Sequence, residues 1–142
     1  MLDGLRELSQ ALSIALFSFS AGCAWVAAIV APNTSYDRLD YSRADGHVRL
    51  LLVNSSGHIA AACLAAVALA FLSGALGAGI VGGLGAAGFF TNRWTLAPRK
   101  KDEKAPPGRR ARDKTKRVVA VSLTLIFTLV TVIAAGLAIA GV

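Results

Sequence analysis

The chain has 142 residues, 55% of them hydrophobic, with a formal net charge of +7. That length suits one domain, and a soluble domain so small and so apolar would lack the polar surface to cover its core. The charge is local: residues 93–117 hold eleven Lys or Arg against Asp102, Glu103 and Asp113, a net +8, and the rest of the chain sums to −1.

The fold class expected is all-α, an integral membrane bundle of four transmembrane helices. Residues 11–31 carry no charge and as a helix would reach roughly 31 Å, the thickness of a bilayer core. The stretch before them sets Asp3 and Glu7 against Arg6. It therefore lacks the positive region of a secretory signal, and the run is expected to stay as a span. Pro32 is expected to end that span, because the residue before a proline avoids the helical region. The polar segment that follows holds Asp37, Arg38, Asp40, Arg43 and Asp45, with Tyr36 and Tyr41 suited to the headgroup zone.

Between Arg49 and Arg93 the only ionisable side chains are His58 and Cys63. As one helix this interval would reach roughly 64 Å, about twice the hydrocarbon thickness. A hairpin resolves the excess, with its turn at Ser73-Gly74 and Gly77, where glycine breaks the helix. The second and third spans are thus placed at residues 46–72 and 74–91. Residues 118–141 form the fourth, rich in Val, Ile and Leu. Within the connection 93–117, residues 99–116 contain Lys104-Ala105-Pro106-Pro107-Gly108-Arg109, and their proline, glycine and like charges are expected to give an irregular, mobile loop.

Positive residues favour the cytoplasmic side. The basic connection is therefore expected there, with both termini on the other side. A composition rich in Ala, Gly and Arg suits a bacterial inner membrane. Arg93, Trp94, Arg99, Lys100, Lys101, Arg109 and Arg110 are the residues expected to meet anionic lipid headgroups. A basic block could also serve nucleic acid, but no nucleic-acid motif accompanies this one, and no nucleic-acid partner is expected.

Several features could carry function. Gly74, Gly79, Gly82 and Gly83 lie on small-residue stripes with a four-residue spacing, which let helix backbones approach closely in lipid. They would serve packing within the bundle or contact with another subunit, be it a different membrane protein or a second copy. Thr124, Thr128 and Thr131 share a helix face. Their hydroxyls would bond helix carbonyls or line a substrate track. Asn54, Ser55, Ser56 and His58 form the one concentrated polar group near membrane depth, open to ligand contact or to interfacial hydrogen bonding. A haem between His47 and His58 is excluded by their separation of roughly 16 Å along one helix.

Cys23 and Cys63 read as small buried thiols, with neither a CxxC pair nor Cys/His spacing for a metal. No metal and no cofactor are expected. The expected spans hold no Asp or Glu, which disfavours proton-coupled antiport. No HExxH, phosphate loop or Ser/His/acid set occurs. His58 and Asn92 are the candidates for a catalytic group.

Ala31-Pro32 at the end of the first span and Phe90-Thr91-Asn92-Arg93 at the end of the third are followed by a charged connection and a final apolar helix. In this layout the chain resembles the anthrone-oxygenase-like family of small four-helix membrane proteins. The resemblance implies cofactor-free oxygenation of an aromatic substrate, with Asn92 and His58 as candidate residues. The residues taken by themselves point instead to a non-enzymatic accessory, assembly or stabilising subunit. An oligomeric pore is the third reading.

Overall fold

The computed structural model describes residues 2–96 and 109–142, all of them helix or short connection. The elements are α1 (Leu2–Trp25), a π-helical segment (Val26–Val30), α2 (Ala31–Arg38), α3 (Tyr41–Ser73), α4 (Leu76–Leu96) and α5 (Arg109–Ala140). α1, α3, α4 and α5 close a ring in which α3 touches α1 and α4, and α5 touches α4 and α1. Ring neighbours run antiparallel: Arg6 of α1 meets Ser73 at the end of α3, Gln10 of α1 meets Ala138 at the end of α5, and Asn92 near the end of α4 meets Ala120 near the start of α5. Asp3–Arg38, Arg43–Ser73 and Val118–Ala140 are three helical stretches long and apolar enough to cross a membrane.

The α3–α4 turn falls at Gly74, as expected. Its φ of +85° is the left-handed conformation that ends helices at glycine. The Gly74 N–H donates to Phe71 O (3.1 Å) and the Ala75 N–H to Ala70 O (2.9 Å), which satisfies the last carbonyls of α3. At the same end of the bundle Arg6 Nε donates to Ser73 O (2.6 Å) and Gln10 Nε2 to Ala138 O (2.7 Å). The Ala78 N–H donates to Val142 O (3.0 Å). One polar seam therefore joins all four helices at the end opposite the basic connection.

Two expectations need correction. Pro32 does not end the first helix: the chain stays helical to Arg38. The cause is the π segment, where the Ala31 N–H bonds five residues back to Val26 O. That wider turn shifts the hydrogen-bond register just before the proline, which then sits in the first turn of α2, where its missing N–H is tolerated. Thr34 Oγ1 donates to Val30 O (2.9 Å) and Ser35 Oγ to Ala31 O (2.7 Å) in the turn that follows. The segment 99–116 is also not irregular throughout, because α5 already begins at Arg109, and α4 runs on past residue 91 to Leu96.

The core is built from small residues. Nearest the Gly74 end, Phe17 is surrounded by Ala66, Ala70, Ala75, Ala78, Ala134 and Ala138. A middle cluster joins Ala24, Ile59, Ala60, Cys63, Ala86 and Phe89. The third joins Ala27 of the π segment, Val48 and Leu52 of α3 and Ala120 of α5. Large apolar side chains such as Phe19, Ile80, Leu84, Leu129 and Ile139 point outward instead. In water such a surface would drive association. In lipid it is solvated, and alanine inside lets the backbones close up.

Candidate functional site

The most unusual local chemistry lies where α4 ends against α3 and α5. Asn92 is fully buried, at 0% exposure. Its Nδ2 donates to Thr124 Oγ1 (2.8 Å) and, less closely, to Ala120 O (3.3 Å). Thr124 Oγ1 in turn donates to Ala120 O (2.8 Å). Among the described residues, Asn92 Oδ1 has no hydrogen-bond partner. One half of the amide thus bolts α4 to α5, and the other half is a buried acceptor, where an unmade hydrogen bond costs about 1–3 kcal/mol.

His58 stands elsewhere. It is exposed on α3, and its Nδ1 lies 2.8 Å from Asn54 O, one turn back on the same helix. Asn92 and His58 therefore face different surroundings. Ser55 Oγ likewise bonds its own helix at Leu52 O (3.4 Å). Among the described residues, no group of three His, Cys, Asp or Glu side chains could hold a metal ion.

The threonine row is also occupied locally. Thr128 Oγ1 donates to Thr124 O (2.7 Å) and Thr131 Oγ1 to Phe127 O (2.8 Å). Each hydroxyl answers a carbonyl one turn back, the default for threonine in an apolar helix. At mid-bundle the hydroxyls of Ser20 and Thr131 flank the free thiol of Cys63. Ser20 is buried, and among the described residues its Oγ has the Cys63 thiol beside it and no other hydrogen-bond partner.

The glycines of α4 fall into two groups. A Cβ at Gly82 would collide with the Phe17 ring and lie 3.1 Å from Val67 Cγ2; one at Gly79 would lie 2.7 Å from Phe71 Cε1. Gly85 faces Thr131, and Gly88 faces the ring of Phe127, which also meets Phe89 edge-on at 5.9 Å. These four are filled by the chain's own side chains. Gly83 differs, since nothing lies within 4 Å of where its Cβ would be. Gly74 serves the turn.

Of the residues expected at the lipid boundary, Trp94 is 82% exposed. Arg93 is exposed too, but its guanidinium lies over buried Gly57 of α3. Arg99, Lys100 and Lys101 lie outside the described residues. Arg109 and Arg110 belong to the first turn of α5. Sequence reasoning missed Gly57 and Ser20. Gly57 sat unremarked inside the polar group 54–58, and its signal was a glycine in mid-helix with no turn to make.

No family model matches this chain, and neither a curated protein nor a solved structure does. Its class therefore rests on physical grounds: a small α-helical bundle with three helices suited to crossing a membrane.

Proposed function

We propose that the chain is a four-span, non-enzymatic membrane protein: an accessory, assembly or stabilising subunit that binds another membrane protein or a second copy of itself. α4 is the span in question, because glycine and the Thr91-Asn92-Arg93 ending lower its average hydropathy. Its glycines mostly face inward, however, while Leu76, Ile80 and Leu84 are each at least 60% exposed. Lipid solvates a helix through the residues it turns outward, and those of α4 match the outer faces of its neighbours. In the orientation proposed, the basic connection 93–117 faces the cytoplasm of a bacterial inner membrane and both ends of the chain face the other side.

The observation that carries the association is Gly83. It is a small-residue position on α4 that the bundle leaves unfilled, flanked along the chain by Gly82 and Leu84. A partner helix could bring its backbone close there without displacing anything inside. Gly79, by contrast, is already covered by Phe71. The test is mild detergent extraction followed by size separation, for the natural chain and for Gly83→Leu. The natural chain is expected to travel with a larger assembly or as a dimer, and the variant to travel alone with its helical content intact. Unchanged migration of Gly83→Leu overturns the reading.

The anthrone-oxygenase-like reading draws on Asn92, whose free Oδ1 is an acceptor suited to an aromatic hydroxyl. Turnover of an anthrone by the purified protein is its test.

A further inference from the structure

The geometry points to a lipid site at the end of α4, in which the Arg93 guanidinium, seated over Gly57 of α3, takes the phosphate of an anionic phospholipid. This rests on the placement of α4 in the bilayer proposed above. Gly57 is buried, and a Cβ there would collide with Arg93 Nη1 and lie 3.2 Å from Cζ and 3.3 Å from Cδ. The guanidinium therefore lies against the α3 backbone at a residue with no side chain. A free arginine side chain has many rotamers, and ordering it costs about 1.5–2 kcal/mol. The notch imposes that order in advance.

Depth agrees with a phosphate. Measured from Leu76 at 1.5 Å per residue, Arg93 stands roughly 26 Å along α4, close to the hydrocarbon thickness of about 30 Å. Its planar fork of N–H donors matches phosphate oxygens in pairs, which an ammonium group cannot do. Among the described residues no acidic side chain pairs with it. Arg93 also opens the segment whose net charge is +8 in the sequence. Along the outer face of α4, Ile80, Leu84 and Trp94 are exposed at helical spacing. These residues face lipid, and the indole next to Arg93 in the chain suits headgroup level.

The probe is the full chain in bilayer discs made with phosphatidylglycerol, phosphatidylcholine or an equal mixture, with retained lipid counted by native mass spectrometry. The natural chain is expected to keep phosphatidylglycerol over phosphatidylcholine by about five-fold, the scale of one basic group at a membrane surface. Arg93→Gln and Gly57→Ala should both lose that preference, and Arg93→Lys should keep part of it. Gly57→Ala leaves every charge in place, so its loss would report seating and not net charge. The three atoms nearest its added methyl all belong to the flexible Arg93 side chain; circular dichroism checks that the variant is folded.

A Gly57→Ala chain that is folded and still prefers phosphatidylglycerol overturns the proposal. So does a natural chain without preference, or one that inorganic phosphate stabilises as well as the lipid does, which would mark a free-anion site. Failure of the bilayer placement itself shows separately, as free labelling of Leu84→Cys by a water-soluble maleimide in the same discs.

Discussion

Asn92 illustrates how one side chain can be both fastener and liability. Its Nδ2 ties α4 to α5 through Thr124 and Ala120, while its Oδ1 has no partner among the described residues. Removing both halves together should come out nearly even, because an apolar side chain of similar size forfeits the bond and also the orphaned acceptor. Asn92→Leu is therefore expected to change stability by no more than about 1 kcal/mol. Asn92→Asp keeps the shape but replaces the donor with a buried anion, and should destabilise by about 3 kcal/mol. Unfolding of the two variants in mixed micelles, followed by circular dichroism, measures the difference; equal losses would refute this account of the amide.

Within α4, glycines of identical composition do different things because they face different neighbours. Gly82 is closed over by Phe17, which is itself fully buried and has no room to swing aside. Gly83, one residue on, meets nothing. Gly82→Ala is thus expected to destabilise the bundle by about 1–3 kcal/mol through overpacking. Gly83→Ala should be neutral or stabilise by up to about 1 kcal/mol, the gain in helix propensity. Thermal melts of the two single variants in one detergent decide it, and a reversed order would mean that the Phe17 ring does not close over Gly82. The first helix makes the same point about context. Pro32 read as a stop because the residue before a proline avoids the helical region. The π segment before it removes that conflict, and no local signal at the proline announces it.

For the whole molecule, the parity of crossings separates four spans from three. The N-terminal end of α1 and the C-terminal end of α5 share one end of the bundle through Arg6, Gln10 and their carbonyl partners. If α4 crosses the bilayer, Asp3→Cys and Val142→Cys should be labelled from the same side of sealed vesicles, with Cys63 silent because it is buried. Labelling from opposite sides would leave three spans and remove α4 from the membrane.

The sequence by itself determined the helical class, the turn at Gly74 and the three strongest spans, because each follows from local physics. Uncharged runs of bilayer length, a glycine at the one place the run must fold back and a charge block outside it can all be read without knowing a neighbour. It also singled out Gly82, Asn92 and Thr124 as residue types with a purpose. Which purpose was a tertiary matter. Only the packed bundle showed Asn92 turned to α5 and His58 turned away, Gly82 filled and Gly83 open, and Gly57 clearing a seat for Arg93. Those distinctions arise between residues far apart in the chain, where helix rotation sets which side chains meet, and rotation is fixed by packing and not by any single segment.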